Sequence, residues 1–148
     1  MYLLPFLGMM LLADPAMADT SVLAAGVVQP ATSAEAVQTQ RAALEQRVTA
    51  KWDALIRKDF EAAYSFTSPS YRKLYSLNSF RSSFGNKVGW QRIEVVNVDF
   101  KGDDAATVGF NLHFVYHPPQ AEKPLDMQTY VQESWVRVDG QWWYLVKE

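Results

Sequence analysis

The chain has 148 residues, of which 49% are hydrophobic and 20% are charged, and its formal net charge is -2. This length and composition predict one globular domain and leave too little charge for intrinsic disorder. The charge excludes the bulk basicity of a protein that coats nucleic acid, and the lack of cysteine excludes disulfides and a lipidated cysteine.

Residues 1–18 have the pattern of a secretory signal peptide. The apolar run over residues 2–12 is too short to span a bilayer, and Ala16, Met17 and Ala18 match the small-x-small pattern that signal peptidase cleaves. The basic residue that usually precedes such a run is missing, so retention as an uncleaved anchor stays open. We expect a periplasmic or secreted protein that is cleaved after Ala18, with a flexible linker over residues 19–32 and the folded domain over residues 33–148.

Helix caps and apolar spacing predict four helices in the first part of this domain. The residues Thr32 to Glu35 form a capping box that opens a long helix over about residues 33–57. Asp59 caps a second helix, Pro69 opens a third and Asn78 caps a fourth. The apolar residues of the long helix recur at spacings of three and four and predict a core-facing stripe: Leu44, Val48, Trp52, Leu55 and Ile56.

After residue 90 the apolar period changes to two, which is typical of strands. The first strand is expected to place Val96, Val98 and Phe100 on one face. Helices followed by antiparallel strands predict an α+β fold, in which the helices pack in the concave face of a curved antiparallel sheet. The other strands are predicted over residues 107–116, over about 127–138, and after a two-residue turn at Asp139 and Gly140.

The stretches KWDALIRKDFEAAYSFTSP, SFRSSFG and ESWVRVDGQWWYLV resemble the nuclear transport factor 2-like superfamily, which includes ketosteroid isomerases and SnoaL-type polyketide cyclases. The resemblance covers about residues 35–147, and includes Asp59 before Phe60 and the Asp-Gly-x-Trp pattern from Asp139 to Trp142. It implies a cone with a cavity between the sheet and the helices. In the enzymes of the superfamily, a carboxylate base or an Asp/His pair faces oxyanion donors in that cavity.

The tight turn at residues 139 and 140 fixes the faces of the last hairpin. Trp135 should face Tyr144, so Glu133 and Arg137 lie on the same face as these two rings. Glu133 is a candidate catalytic base, and it should either pair with a cation such as Arg137 or carry a raised pKa. The candidate ligand-binding residues are aromatic: Trp52, Tyr64, Tyr71, Tyr130, Trp135, Trp142 and Tyr144. Core packing is the alternative for the tryptophans, Tyr64 and Tyr71, and it is favoured for Tyr64.

The two histidines cannot share a metal ion. His113 and His117 lie four positions apart on one predicted strand, or about 13 Å, so no metal site is expected. His113 lies near Asn111 and roughly opposite Tyr130, which makes it the second candidate base, with a structural or solvent-facing histidine as the alternative. No phosphate loop, nucleophile elbow or cysteine nucleophile is present, and no cofactor is expected.

Residues 62–93 contain no acidic residue, although several cations fall within them. A shared surface of these cations would attract anions such as phosphorylated lipids, and a solvated helical rim is the alternative. The candidate anion patch consists of Arg72, Lys73, Arg81 and Lys87.

Two functions of different class remain open at this point. The first is an exported non-catalytic module that binds a small apolar or amphipathic ligand in its cone, or forms a homodimer through the outer sheet face. The alternative is a lyase or isomerase of the ketosteroid isomerase or dehydratase type, with Glu133 or His113 as general base and a tyrosine as donor. A purely structural partner domain would show a large apolar patch on the outer sheet face.

Overall fold

The computed structural model describes residues 32–147. The predicted signal peptide, nearly all of the predicted linker and Glu148 lie outside these residues. Within them, no helix is both long enough and apolar enough to cross a membrane.

The long helix α1 spans Ser33–Ile56, close to its predicted bounds. Its capping box is present: the Glu35 amide donates to Thr32 Oγ1 at 3.3 Å, and the Thr32 amide donates to Glu35 Oε2 at 2.7 Å. These bonds favour the carboxylate, so the pKa of Glu35 lies below its usual value. The buried stripe of α1 holds one residue that is not apolar: Leu44, Val48, Lys51, Trp52, Ala54 and Leu55.

Three short helices follow: α2 (Phe60–Ser65), α3 (Pro69–Leu74) and α4 (Leu77–Ser82). Asp59 caps α2 as predicted, with the Ala62 amide donating to Asp59 Oδ1 at 3.1 Å. The predicted cap of α4 is wrong, because Ser76 rather than Asn78 precedes the helix and accepts from the Ser79 amide at 3.2 Å. Ser76 has the extended backbone of an N-cap, which places Asn78 inside the first turn.

Four antiparallel strands form one sheet in the order β1-β2-β3-β4, with β1 at Val88–Phe100, β2 at Ala105–Tyr116, β3 at Leu125–Val138 and β4 at Gln141–Leu145. Asp139 and Gly140 both have positive φ, 51° and 75°, as the predicted two-residue turn requires. The pairing of Trp135 with Tyr144 confirms the predicted register of this hairpin. The fold class is therefore α+β, with the helices packed on a curved sheet.

One strand face differs from the prediction. The register of β1 shifts between Val95 and Asn97, and Val96 is 53% exposed. An extra residue at such a bulge reverses the alternation, so Val95, rather than Val96, packs on the core with Val98 and Phe100. The adjacent apolar residues Val95 and Val96 are the sign of this bulge in the sequence, because they shift the phase of the alternation.

The core lies between α1 and the concave face of the sheet. Val108 and Phe110 of β2 are fully buried against Leu44 and Val48 of α1, together with Trp135 of β3. Residues 66–68, which join α2 to α3, pair with the free edge of β4. There the Tyr144 amide donates to the Phe66 carbonyl at 2.8 Å, and the Ser68 amide donates to the Tyr144 carbonyl at 3.0 Å.

Candidate functional site

The centre of the candidate site is an ion pair buried under the sheet. Lys51 projects from α1 and Glu133 from the concave face of β3, and Lys51 Nζ donates to Glu133 Oε1 in a short hydrogen bond. The two side chains are 2% and 5% exposed. Removing both charges from water is costly, so such a pair persists only where further hydrogen bonds satisfy the carboxylate.

Two indoles supply those bonds. Trp52 Nε1 donates to Glu133 Oε1 at 3.1 Å, and Trp135 Nε1 donates to Glu133 Oε2 at 3.3 Å. Both oxygens of the carboxylate therefore accept a hydrogen bond from the protein itself. This arrangement fixes the side chain of Glu133 and explains why two tryptophans point toward one carboxylate.

Tyr144 covers the lysine. Lys51 Nζ lies 3.7 Å from the centre of the Tyr144 ring, a cation–π distance. Burial lowers the pKa of Lys51, against the opposing effect of the Glu133 charge. Burial raises the pKa of Tyr144, with smaller contributions from Glu133 and Tyr71, so its phenol stays neutral.

A cavity of about 440 Å³ opens above this pair. Lys51 and Glu133 lie at its floor, and Lys147 adds a cation to its lining. Because β4 pairs only with residues 134–138 of β3, the edge of β3 before Ser134 also lines the cavity. The remaining walls are largely aromatic or aliphatic: Trp52, Leu55, Phe80, Phe84, Val131 and Tyr144.

Four predicted site residues line this cavity: Trp52, Tyr130, Glu133 and Tyr144. Trp135 is fully buried beside Glu133. The expected partner of the carboxylate was wrong: Glu133 pairs with Lys51. Arg137 instead pairs with Asp104, with 3.3 Å between Nε and Oδ1. The helix supplies the cation because α1 crosses the concave face of the sheet, whereas Arg137 lies farther along the strand.

Other aromatic candidates lie away from the cavity lining. The Tyr64 hydroxyl donates to the Tyr75 carbonyl at 2.7 Å, which fits its packing alternative. Tyr71 stacks on Tyr75 with 4.8 Å between ring centres. At the other end of α1, Trp142 Nε1 donates to Gln40 Oε1 at 3.2 Å.

The second candidate base lies on the opposite face of the sheet. His113 Nε2 is 3.2 Å from Glu94 Oε2, and the residue paired with His113 on β3 is Gln128 rather than Tyr130. The hydroxyl of Tyr130 is bonded on this outer face too, where it donates to Asn97 Oδ1 at 2.8 Å, and Tyr130 is also one of the residues that line the cavity. Between residues 32 and 147, no cluster of side chains could hold a metal ion.

The candidate anion patch is only partly free. Arg72 Nη1 donates to the carbonyl of Ser65 at 2.7 Å and to that of Thr67. Arg81 lies 5.9 Å from the centre of the Phe60 ring and is exposed. Lys73 and Lys87 are also exposed, so a lipid or other anionic surface stays a prediction for Lys73, Arg81 and Lys87 alone.

The sequence prediction did not include Lys51 among the site residues, although its position in the helix indicates that it is buried. It falls in the apolar stripe of α1, three positions after Val48 and four before Leu55. A lysine on the buried face of a helix requires a carboxylate inside the fold. Glu133 was the carboxylate already singled out for lying among aromatic residues.

The helical layer in the concave face of a four-stranded antiparallel sheet, with a cavity between them, is consistent with the cone-shaped nuclear transport factor 2-like fold. Solved structures share it. The association domain of the Caenorhabditis elegans kinase CaMKII is 20% identical, with a TM-score of 0.51 over 76% of this chain and 95% of that one. A proposed dehydratase of the NTF2-like family from Streptomyces avermitilis is 16% identical, with a TM-score of 0.51 over 72% and 92%.

A third similar structure is longer than this chain. The SEC-C motif protein of Psychrobacter arcticus is 18% identical, with a TM-score of 0.53 over 70% of this chain and 58% of its own. No protein-family model and no curated protein matches the sequence. At these identities the likeness shows the fold alone.

Proposed function

We propose that this protein is an exported binding module whose cone cavity holds one small amphipathic ligand. This proposal is supported by the composition of the cavity, whose walls are largely apolar and whose floor holds the opposite charges of Lys51 and Glu133. A ligand of this kind would bury its apolar part against Phe80, Phe84 and Val131. Its polar end would lie toward Lys51 or toward Lys147 at the lining.

The observation that carries this proposal is the set of three hydrogen bonds that Glu133 receives from Lys51, Trp52 and Trp135. A general base needs a lone pair that can reach a substrate proton. The carboxylate of Glu133 is instead 5% exposed and held by the protein's own donors. It serves the structure of the cavity floor in this arrangement.

Cavity binding can be tested with 8-anilinonaphthalene-1-sulfonate, a fluorescent probe that is apolar at one end and anionic at the other. Val131→Trp adds bulk to the cavity wall, whereas Val136→Trp adds the same bulk on the outer face of the same strand. We expect Val131→Trp to weaken probe binding about tenfold and Val136→Trp to leave it unchanged. Equal affinities in two variants with the same unfolding midpoint would contradict the proposal.

Native mass spectrometry of protein purified from its own host would then identify a bound ligand. A mass shift that is present in the wild type and in Val136→Trp, but absent from Val131→Trp, would place that ligand in the cavity. A shift common to all three proteins would place it elsewhere.

The lyase or isomerase alternative is favoured by one observation, the neutral Tyr144 phenol beside a carboxylate and an ammonium group. It requires Glu133 to exchange its bond to Lys51 for a substrate proton. Glu133→Gln, compared with the wild type under conditions where both are folded, separates the two functions, because the amide keeps the size of the side chain but cannot accept a substrate proton as a base. Once a ligand is known, unchanged ligand turnover by this variant would exclude Glu133 as the base.

Self-association through the outer sheet face is a second proposal. One of the similar structures is named as an association domain, which is the observation that favours it. The outer face here is largely polar, with Asn97, Asn111 and Gln132 beside Tyr130. Light scattering across a concentration series should show a dimer of the wild-type protein. Asn111→Arg should dissociate this dimer, whereas Gln120→Arg, in the loop before β3, should leave it intact. A wild-type protein that stays monomeric at every concentration would exclude the dimer.

A further inference from the structure

Two arginines contact the same indole at the edge of the sheet, away from the cone cavity. The guanidinium carbons of Arg47, from α1, and of Arg72, from α3, each lie 4.9 Å from the centre of the Trp143 ring. They are therefore no farther apart than twice that distance. Two like charges placed so close repel each other unless an anion lies nearby.

The protein holds both guanidinium groups firmly. Arg47 Nε donates to the Trp142 carbonyl at 2.7 Å, and the group lies 4.6 Å from the centre of the Phe66 ring. Arg72 is held by the Ser65 and Thr67 carbonyls. These partners fix the positions of the two cations but neutralise neither charge.

No carboxylate offsets this pair within residues 32–147. The ion pairs in that part of the chain involve Arg41, Lys51, Arg92, His113 and Arg137. Burial, and secondarily the charge of Arg72, lowers the pKa of Arg47. The same electrostatics that disfavour the second cation would favour a bound anion.

A hollow of about 320 Å³ beside Arg47 has room for such an anion. The amides of Gln46 and Gln141 line it together with Arg47, and the remaining lining is apolar. The Gln141 amide oxygen, when turned toward Arg47, accepts from Nη1 at 2.5 Å. No acidic side chain belongs to the lining, and none of its residues borders the cone cavity.

We propose that this hollow is an oxyanion site that binds a single carboxylate or phosphate group. The Arg47 guanidinium would donate to the anion, the amides of Gln46 and Gln141 would add neutral hydrogen bonds, and Arg72 would contribute its charge across Trp143. A planar guanidinium held on aromatic rings is well suited to carboxylate and phosphate oxygens. The site is independent of the ligand proposed for the cone cavity.

The test is a titration of the ¹⁵N-labelled protein with sodium acetate and, separately, with sodium phosphate, at ionic strength held constant with sodium chloride. We expect the Nε–H signals of Arg47, Arg72 and the Trp143 indole to shift and saturate, while the buried Trp135 indole stays unchanged. The tighter of the two salts identifies the preferred oxyanion. Arg47→Gln should weaken binding about tenfold, as the loss of a charged hydrogen bond predicts.

Arg57 near the C-terminal end of α1 is exposed and provides the matched control, because Arg57→Gln removes the same charge from the same region of the chain. Arg72→Lys retains the charge, and should therefore keep most of the affinity even if the lost carbonyl bonds lower stability. An affinity in Arg47→Gln equal to that of the wild type, or shifts that grow linearly without saturation in the wild type, would overturn the proposal. So would an equal loss of affinity in Arg57→Gln.

Discussion

The two faces of the sheet each carry a glutamate paired with a cationic side chain, and the two pairs differ in their exposure to water. On the concave face, Glu133 and Lys51 are almost completely buried, and two indoles complete the bonds of the carboxylate. On the outer face, Glu94 is 50% exposed, bonds to Arg92 and lies beside His113. Water solvates and screens the outer cluster, whereas the inner pair depends on the protein alone.

From this difference in burial we expect the inner ion pair to constrain the fold more than the outer one, although both contain a glutamate and a cation. Each partner of the inner pair is tolerated only because the other is present. Each partner of the outer cluster could be lost and replaced by water. The predictions below test this difference.

The largest effect is expected for Lys51→Met, which leaves Glu133 as a buried and unpaired carboxylate. The free energy of unfolding in urea should fall by about 3–5 kcal/mol. The double variant Lys51→Met with Glu133→Leu should recover much of that loss, because no charge then remains buried. A single variant as stable as the wild type would show that the pair is not buried as described.

The next effect concerns alkaline pH and Tyr144. The folded state keeps the Tyr144 proton above pH 10, the usual pKa of the group, while the unfolded chain releases it. The folded state therefore binds more protons there, and stability falls as pH rises, by about 1.4 kcal/mol per pH unit at most. Tyr144→Phe should remove this fall relative to the wild type in urea unfolding measured from pH 9 to pH 11.

The titration of Lys51 changes the free energy of unfolding in the opposite direction, and over a lower pH range than that of Tyr144. Its pKa is lowered in the folded state, so the unfolded chain binds more protons below pH 10.5 and stability rises with pH toward that value. This rise should appear in both the wild type and Tyr144→Phe, but not in the double variant that lacks Lys51. If Tyr144→Phe and the wild type have parallel pH profiles, the tyrosine does not retain its proton.

The smallest effect is expected on the outer face. Glu94→Gln should lower the free energy of unfolding by less than about 1 kcal/mol, because both partners of the ion pair are exposed. In 1 M sodium chloride, where the screening length is about 3 Å, the difference from the wild type should nearly vanish. A loss as large as that of Lys51→Met would remove the contrast between the two faces.

Local signals in the sequence predicted most of the fold. The capping box at Thr32, the change of apolar period after residue 90 and the turn at Asp139 and Gly140 each depend on residues a few positions apart. The register of the last hairpin followed from that turn, so Trp135 and Tyr144 were placed on one face correctly. The prediction for β1 was wrong because it continued the alternation of Val96, Val98 and Phe100 and left out the change of phase that the adjacent Val95 and Val96 introduce.

The candidate site was only half predicted, for a different reason. Glu133 was recognised because its neighbours on the strand are aromatic, whereas its partner Lys51 lies 82 positions away. Contacts over such a distance depend on how α1 crosses the sheet. The face of the sheet on which His113 lies likewise depends on how β1, β2 and β3 pair. This pairing joins residues far apart in the sequence, so local patterns do not predict it.

The pairing of residues 66–68 with β4 has a consequence for how a molecule could enter the cone. The segment between α2 and α3 is joined by two hydrogen bonds to the backbone of Tyr144, which lines the cavity, so Tyr144 cannot move away from this segment unless both bonds break. Within residues 32–147, α4 contacts its surroundings through the ring of Phe80 and the turn after it through Phe84, and α4 has no backbone bond to a strand. Ligand exchange would therefore proceed by displacement of α4, and its amides should exchange with deuterium well before that of Tyr144.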